Sequence, residues 1–374
     1  MNRTILIRYG EIALKSEPVR KEFEKKLIRN IKSTFKNQSV NATTKRGRIF
    51  IKTPKIEESA SKIANIPGVV STSPTWKTKS SIEKIWNIAK KVVKKEFSKK
   101  GSFAVRSRRV GNHDYSSQEL AEKLGSRILD IMPELTVDLD NPEQELFVEI
   151  RKDDAYIFTR IIDGIGGLPV GSQGKVLVLF NGDIESLITT FLILRRGAMA
   201  CPLFFELKEK PREKAVNLFK KLSKFHPNLE LRVIPAFNIQ KEVAEKAPEF
   251  EDVIKERLFL KIAERVAGEI NGKALAIDKN LDYLKSFSLH NTRILEEKIN
   301  LSVLYPLVGY DKNRMKEIGK LISSKTFEKE KTLTNFTKEK YDIEKIHEAE
   351  KNISEECLIN SALESLQVYK IEEL

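Results

Sequence analysis

Apolar residues along this chain recur with two different spacings, and the change from one spacing to the other marks the predicted elements. In residues 1–76, short apolar runs with strand character flank helical segments. Phe23, Leu27, Ile31 and Phe35 lie four residues apart, which predicts an amphipathic helix. Further predicted elements are strands at 4–8, 48–52 and 69–74 and a helix at 57–65. The order strand–helix–strand–strand–helix–strand is typical of a small ferredoxin-like module.

Residues 77–165 predict a second small α/β module. An apolar stripe at helical spacing begins at Ile82 and ends at Val93, and lysines occupy the other positions. Ser116 or Ser117 is expected to cap a helix that continues to Asp130, with Glu119 as a carboxylate in its first turn. The predicted strands are 103–106, 145–150 and 156–162.

Residues 172–322 alternate strands with helices, a pattern that predicts a Rossmann-like domain with a parallel sheet. The predicted strands are 176–180, 200–205, 230–234, 274–277 and 302–305. The predicted helices are 186–195, 213–224, 252–267 and 282–291. Residues 323–374 are treated as a charged C-terminal extension, and 325–351 are expected to form a surface or partly mobile segment because they are highly charged and weakly apolar.

Composition narrows the range of partners. The 374 residues carry a formal net charge of +14, which favours a polyanionic partner, nucleic acid before a membrane surface. No apolar run reaches membrane-spanning length and the N-terminus lacks a secretory apolar region, so we expect a cytoplasmic protein. Two cysteines and four scattered histidines predict neither a disulfide framework nor a metal site.

The segment from Gly164 to Ser186 combines two glycine-containing stretches with a strand. The run Gly164–Gly171 is interpreted as a tight connection between domains. The apolar strand 176–180 then enters the loop Asn181-Gly182-Asp183-Ile184-Glu185-Ser186, which precedes a helix. A strand, a glycine turn and a helix in this order present backbone N–H groups to a phosphate.

These residues resemble the tRNA 4-thiouridine synthetases, a family also described as tRNA sulfurtransferases or thiamine-biosynthesis proteins. The resemblance begins with Arg8-Tyr9-Gly10-Glu11-Ile12-Ala13-Leu14-Lys15, followed by Arg20, Phe23 and Leu27. Residues 77–165 look like a THUMP RNA-binding domain through Phe103, Val105, Arg108, Arg109, Ser117, Leu120, Gly125, Asn141-Pro142 and Glu149-Ile150-Arg151. Gly166-Gly167-Leu168-Pro169-Val170-Gly171 is similar to the junction that enters the family's PP-loop domain. The resemblance implies three domains, ferredoxin-like, THUMP and PP-loop.

The activity implied by this resemblance is ATP-dependent insertion of sulfur into a tRNA uridine. ATP activates the uridine carbonyl oxygen as an adenylate, and a persulfide sulfur then displaces AMP. The implied cofactors are ATP and Mg²⁺. The implied partners are the tRNA acceptor arm and a sulfur-donor protein.

The candidate nucleotide site departs from the family pattern, so we interpret it as degenerate. Where the family has Ser-Gly-Gly-Ile-Asp-Ser, this chain has Asp183 at the second glycine, which adds a carboxylate where pyrophosphate would approach. Glu256 inverts a family basic residue, and Phe287 replaces a family amide. The candidate ATP residues are Leu179, Phe180, Asn181, Gly182, Asp183, Ile184, Glu185, Ser186, Arg257, Asp278 and Phe287.

No catalytic residue is assigned from the sequence. Cys201 lies in an apolar strand and Cys357 follows two glutamates, and neither matches a family cysteine position. Both are therefore interpreted as structural rather than as carriers of sulfur.

The candidate RNA-binding residues lie in the first two modules. Arginines at a strand end suit phosphate recognition because a guanidinium group donates in a fork. The candidates are Lys15, Arg20, Lys45, Arg46, Arg48, Arg106, Arg108 and Arg109. Lys90, Lys91, Lys94, Lys95, Lys99 and Lys100 fit RNA contact and a solvated helix face equally well.

Three functional hypotheses follow. In the first, the chain binds tRNA and its ATP-dependent sulfur transfer is lost or altered. In the second, it is an active tRNA sulfurtransferase with a rearranged nucleotide site and sulfur supplied from outside. In the third, the PP-loop domain has been adapted to another ligand or partner.

Overall fold

The computed structural model describes residues 2–35, 40–45, 47–208, 212–281, 289–323, 341–371 and 373–374. The chain divides into two compact units between Gly166 and Gly167. Among the described residues, no helix is both long enough and apolar enough to cross a membrane.

The described part of the first unit alternates short strands with four α-helices. Its strands are β1 Asn2–Arg8, β2 Asn41–Lys45, β3 Arg48–Lys52, β4 Ser71–Lys79, β5 Gly101–Val110, β6 Leu135–Val137, β7 Gln144–Arg151, β8 Asp154–Phe158 and β9 Ile162–Asp163. Its helices are α1 Glu17–Ser33, α2 Ile56–Ala64, α3 Ile82–Glu96 and α4 Ser117–Ile131. Ser116 and Glu119 cap α4 reciprocally through their side chains and backbone amides, which confirms that the helix starts where its sequence predicts.

All nine strands of this unit belong to one sheet in the order β2-β3-β1-β4-β8-β7-β5-β6, with β9 also pairing with β4. The first four strands have the order of a ferredoxin-like module, as the sequence predicts. From Ser71 to Lys77, β4 pairs with β1, and from Trp76 to Lys79 it pairs with β8. The boundary proposed after residue 76 therefore falls inside a strand that both modules share.

The two faces of this sheet differ in what covers them. Trp76, Val105 and Val148 point to the face packed by α3 and α4, and Thr72 on the same face donates a hydrogen bond to the Ala60 carbonyl of α2. The opposite face carries a small buried cluster of Leu6, Phe50, Tyr156 and Phe158, with Phe147 beside it.

This second face is concave. Phe50 on β3 and Tyr156 on β8 are separated by two strands, so a flat sheet would place them about 14 Å apart. Their rings instead stack with centroids 4.4 Å apart. The sheet therefore bends toward this face, and side chains from distant strands meet within it.

The second unit contains a six-stranded sheet in the order β14-β13-β10-β11-β12-β15. Its strands are β10 Lys175–Leu179, β11 Met199–Glu206, β12 Glu230–Pro235, β13 Ala274–Ala276, β14 Ser302–Leu304 and β15 Gln367–Lys370. Its helices are α5 Ile184–Arg195, α6 Arg212–Phe219, α7 Phe237–Lys246, α8 Glu251–Glu269, α9 Leu289–Glu296, α10 Lys312–Ile322, α11 Ile343–Glu350 and α12 Glu355–Glu364. The strands β10 to β14 pair in parallel, which confirms the predicted parallel sheet.

The C-terminal segment corrects a prediction. Residues 325–340 of the expected surface segment, like 282–288 of the predicted fourth helix, lie outside the described residues. From residue 341 onward the chain packs against the core: Ile346 is fully buried, and Leu358 and Ile359 of α12 join the same apolar cluster. β15 then pairs antiparallel with β12. The predicted separate C-terminal extension is therefore part of the second unit, and the helix at 343–350 lies at its surface with Ile346 as the buried anchor.

Close backbone packing explains the glycine run. A Cβ at Gly164 would lie 2.3 Å from the Val69 carbonyl oxygen, and one at Gly167, where φ is +80°, would lie 2.0 Å from the Arg195 carbonyl oxygen. Both positions therefore require glycine.

Candidate functional site

The loop after β10 holds most of the candidate nucleotide residues and leads directly into α5. Gly182 has a φ of +70°, which an L residue rarely adopts. Asp183 stands immediately before the helix, and its Oδ1 accepts a hydrogen bond of 2.8 Å from the backbone N–H of Ser186. The Asp183 N–H donates in return to Ser186 Oγ at 3.3 Å. The two residues form a capping box.

This cap uses a backbone group that an anion would need. A helix N-terminus binds phosphate through N–H groups that lack partners within the helix. Here the Asp183 carboxylate already accepts from Ser186, so a phosphate bound at that amide would have to displace it. Two unit charges about 4 Å apart repel by roughly 4 kcal/mol at an effective dielectric constant near 20. A triphosphate chain bound at this loop would therefore meet the charge of Asp183 at the first turn of α5.

Beside the loop, a cavity of about 570 Å³, including solvent at its mouth, opens at the carboxyl ends of the parallel strands. Ligands of open α/β sheets bind at this edge. Its lining residues come from four strand ends and from α8 and α9: Leu179, Phe180, Asn181, Leu203, Phe205, Glu256, Phe259, Leu260, Ile277, Lys279, Thr292, Leu295 and Tyr305.

The polar groups of the cavity are held by partners. Lys279 Nζ lies 2.9 Å from Glu256 Oε1, and both side chains are mostly buried. Asn181 Nδ2 donates to Asp278 Oδ2 at 2.8 Å. Tyr305 donates its hydroxyl to Glu296, and burial together with this bond raises the pKa of Tyr305, which stays a neutral phenol.

The candidate residues do not all lie in one place. Leu179, Phe180 and Asn181 line the cavity, Asp278 adjoins it, and residues 182–186 form the loop and the first turn of α5. Arg257 is absent from the described cavity wall. It is 2% exposed and its Nε lies 2.5 Å from Glu350 Oε1 of α11. Phe287 lies outside the described residues.

Sequence reasoning missed three aromatic residues of the cavity, Phe205, Phe259 and Tyr305. Phe259 stacks on Phe205 with centroids 4.0 Å apart. Glu256, Phe259 and Leu260 share one face of α8 because they are spaced by three and four residues. That spacing is visible in the sequence and identifies the face of α8 that lines the cavity.

The two cysteines differ in accessibility. Cys201 is buried, and burial raises the pKa of its thiol, which agrees with a structural role. Cys357 is exposed on α12, so burial does not restrict access to its thiol.

The concave face of the first unit collects basic side chains. Residues paired in register share a face, and the pairs Arg108–Glu149, Glu149–Tyr156 and Tyr156–Lys77 connect β5, β7, β8 and β4. We call this face the concave basic surface; its basic residues include Arg8, Lys45, Arg48, Lys77, Lys79, Arg106, Arg108 and Arg151.

Three carboxylates lie among these cations: Glu149, Asp154 and Glu145, which contacts Arg106 at 2.8 Å. Glu149 contacts Arg151 at 2.6 Å, Arg48 at 3.2 Å and Arg8 at 3.5 Å. Burial disfavours the charged form of Glu149, but Arg48 and Arg151 outweigh it and hold the pKa below its usual value. Asp154 lies 2.9 Å from both Lys45 Nζ and Lys77 Nζ.

The structure separates the candidate RNA residues into groups. Lys45, Arg48, Arg106 and Arg108 share the concave basic surface, and Arg108 is exposed. Arg106 is already bonded to Glu145 and to the Leu139 carbonyl. Arg109 points to the opposite face and donates to the His113 carbonyl.

Two of the remaining candidates lie elsewhere in the first unit. Lys15 and Arg20 lie at the end of a short helix and in α1, and Arg46 lies outside the described residues. Sequence reasoning missed Arg8, Lys77, Lys79 and Arg151 on the concave basic surface. These residues occupy alternate positions along their strands, and this spacing could have shown from the sequence that they share a face.

Comparison with known families gives three matches along the chain. Residues 4–73 match the ThiI ferredoxin-like domain, residues 79–160 match the THUMP domain, and residues 171–356 match the thiamine biosynthesis protein (ThiI).

Curated relatives cover most of the chain. A probable tRNA sulfurtransferase of Methanocaldococcus jannaschii is 34% identical over 88% of this chain and 90% of its own. One from Acetivibrio thermocellus is 33% identical over 99% of both chains.

Two solved structures also match most of this chain. A 4-thiouridine synthetase–RNA complex with bound ATP matches with a TM-score of 0.84 and 26% identity, over 99% of this chain and 100% of that one. A protein of Pyrococcus horikoshii Ot3 matches with a TM-score of 0.69 and 25% identity, over 86% of this chain and 99% of that one.

Proposed function

Because the chain belongs to the family of the tRNA sulfurtransferases, we propose that it binds tRNA while its ATP-dependent sulfur transfer is lost or altered. The proposed loss or change of sulfur transfer rests on one contact: the Asp183 carboxylate accepts a hydrogen bond from the Ser186 N–H in the first turn of α5. A relative with bound ATP shares the fold, so the change concerns this loop rather than the architecture around it.

We propose that the acceptor arm of tRNA contacts the concave basic surface. Proteins recognise helical RNA mainly through its shape, phosphates and 2′-hydroxyls, which a curved basic sheet can meet without reading base edges. Arg108 is exposed, and Lys79 retains 72% of its side-chain exposure despite its distant pairing with Asp154. These two residues are therefore suited to contact phosphates at the rim of the surface.

ATP binding is tested by calorimetry with Mg²⁺-ATP on the full chain. We expect no measurable binding by the unmodified chain. Asp183→Asn keeps a side chain that can cap the helix but removes its charge, so it should raise the affinity for ATP at least tenfold. The control Asp311→Asn makes the same change at the cap of α10 and should leave ATP binding unaltered.

Micromolar ATP binding by the unmodified chain would instead support the active sulfurtransferase. In that case sulfur would have to come from a partner protein or free sulfide, since Cys201 is buried and Cys357 matches no family position.

Binding of tRNA is tested by titration with a tRNA transcript at several salt concentrations. The double variant Arg108→Glu, Lys79→Glu should weaken binding and reduce the slope of log K against log salt by about one for each lost phosphate contact. Lys90→Glu, Lys94→Glu changes the same charge on α3, which packs against the other face. An equal effect of both double variants would argue against the concave basic surface as the RNA site.

A further inference from the structure

Asp154 is a carboxylate on β8, near the middle of the strand order of the concave basic surface. It pairs in register with Lys79 of β4 and with Arg151 of β7, so its side chain shares their face of the sheet. Lys45 lies on the edge strand β2, four strand spacings away, which is roughly 19 Å in a flat sheet. Its Nζ nevertheless lies 2.9 Å from Asp154 Oδ2. The bend of the sheet therefore gathers lysines from distant strands around this carboxylate.

The two oxygens of the Asp154 carboxylate have different surroundings. Oδ2 lies 2.9 Å from Lys45 Nζ and 2.9 Å from Lys77 Nζ. Oδ1 lies 3.9 Å from Lys79 Nζ, which is beyond the length of a hydrogen bond. Within the part of the chain that the structure describes, no hydrogen bond reaches Oδ1, and the side chain keeps 12% of its exposure. Oδ1 can therefore accept a hydrogen bond from a bound molecule.

The charge of Asp154 limits what a nucleic acid can place beside it. Burial disfavours the charged form, but hydrogen bonds from Lys45 and Lys77 outweigh burial and hold the pKa of Asp154 below its usual value. An ionised carboxylate accepts hydrogen bonds and donates none, and it repels phosphate. A nucleic acid must therefore present a donor to Oδ1 and place its phosphates elsewhere. Lys79, whose side chain is 72% exposed, can hold a neighbouring phosphate.

Ribose supplies such a donor and deoxyribose does not. The 2′-hydroxyl group donates and accepts hydrogen bonds, is displayed in the shallow groove of helical RNA, and lets a protein distinguish RNA from DNA. A deoxyribose presents a C–H group at the same position. It would leave Oδ1 of Asp154 without a donor while its phosphates met the same lysines.

From this arrangement we propose that Asp154 is a specificity-determining residue of the concave basic surface: its Oδ1 accepts a hydrogen bond from a ribose 2′-hydroxyl group, and Lys79 contacts an adjacent phosphate. The inference rests on the proposed binding of tRNA to this surface and deepens it, because basic side chains alone attract any polyanion. The carboxylate lowers the net charge of the surface and in return makes binding depend on ribose.

The experiment measures binding of an acceptor-arm RNA hairpin to the full chain at one salt concentration, together with a series of hairpins that each carry 2′-deoxyribose at a single position. Single substitutions keep the phosphates and the helical form, so they isolate the hydroxyl group. We expect at least one of them to weaken binding by the unmodified chain about fivefold or more, because a hydrogen bond to a charged group is lost. In Asp154→Ala the same substitution should have no effect. A series without any effect on the unmodified chain would overturn the proposal.

Two further variants separate recognition of ribose from support of the fold. Asp154→Asn keeps an oxygen that accepts hydrogen bonds, so it should retain part of the sensitivity that Asp154→Ala loses. Glu145→Ala removes the carboxylate that pairs with Arg106 on the same face, and it should leave the effect of the 2′-deoxy substitution unchanged. A purely structural role of Asp154 would weaken binding of the substituted and unsubstituted hairpins equally. An unchanged ratio of the two affinities in Asp154→Ala would therefore contradict the contact.

The outcomes separate this inference from the proposed function. If Arg108→Glu, Lys79→Glu weakens RNA binding but no 2′-deoxy effect depends on Asp154, the inference fails while the proposed RNA site stands. If that double variant leaves RNA binding unaltered, the proposed site and the inference both fail.

Discussion

At the scale of the residue, Glu149 is a buried carboxylate that pairs with arginines from several strands. It is 4% exposed and lies within 3.5 Å of three guanidinium groups, those of Arg8, Arg48 and Arg151. Burial lowers the pKa of both Arg8 and Arg48, so the cations depend on this carboxylate to remain charged at low energetic cost. Glu149 therefore joins strands that the chain order keeps apart.

Removing that charge should destabilise the first unit. Glu149→Gln leaves the three guanidinium groups without their carboxylate, and breaking a buried pair costs about 3 kcal/mol. Both tryptophans, Trp76 and Trp86, lie in this unit, so urea unfolding followed by their fluorescence measures the loss. Glu145→Gln removes the partly exposed partner of Arg106 and should cost less than about 1 kcal/mol.

The same variant has a defined pH dependence. A carboxyl group whose pKa is lowered by folding contributes stability above its unfolded pKa, about 4.3, and loses that contribution as pH falls toward the folded value. The stability difference between the unmodified chain and Glu149→Gln should be full at pH 7 and shrink below about pH 4.3. A difference that stays constant down to pH 3 would contradict the ion-pair explanation.

At the scale of the element, the sequence predicted correctly those element ends that are fixed by contacts between residues near each other in the chain. The start of α4 is such a case, because Ser116 and Glu119 satisfy each other's backbone amides within one turn. Strand β3 was predicted with its observed bounds, Arg48–Lys52. By contrast α7, α10, α12 and β15 were not predicted. The few apolar residues of α7 and α12 are buried only in the core of the second unit, and β15 is fixed by pairing with β12.

The cap of α4 gives a prediction at this scale. Ser116→Ala should reduce the free energy of unfolding of the first unit by about 1 kcal/mol, because the Glu119 amide loses its acceptor. Ser126→Ala lies in the exposed middle of the same helix and should be neutral or slightly stabilising, since alanine favours helices. Unfolding in urea followed by tryptophan fluorescence distinguishes the two. Identical curves would mean that the cap does not contribute.

At the scale of the whole molecule, the C-terminal segment is part of the second unit. Ile346, Leu358 and Ile359 enter its core, β15 pairs with β12, and Glu350 receives the buried guanidinium of Arg257. The residue proposed for nucleotide contact thus anchors the C-terminal helix α11. These contacts connect positions 93 residues apart, which no local pattern encodes.

Truncation tests this assignment. A chain ending at Tyr341 lacks α11, α12 and β15, so we expect the second unit to lose its cooperative unfolding transition in far-ultraviolet circular dichroism. Tryptophan fluorescence reports the first unit alone and should give an unchanged transition. A chain ending at Ile371 keeps β15 and serves as the control. Retention of both transitions in the shorter chain would show that the C-terminal segment is dispensable for folding.

One part of the candidate site could be predicted from the sequence, and another part depends on residues that are far apart in the chain. The loop from Asn181 to Ser186 and its added carboxylate were evident from the sequence, and so was its place after a buried strand. The cavity was not, because its walls come from strand ends and helices more than 100 residues apart, such as Leu179 and Tyr305. Arg257 and Arg48 look like ligand-binding residues in the sequence, but each is held by carboxylates that only folding brings near.

The sequence by itself determined the kinds of element, the ferredoxin-like order and the parallel sheet, because the periods of two and of about 3.6 residues act between near neighbours. Only the tertiary structure decided that one bent sheet joins both N-terminal modules, that Phe50 stacks on Tyr156, and that the C-terminal helices close the second core. Sheet curvature and buried ion pairs depend on groups far apart in the chain, and their partners become definite when packing excludes water around them.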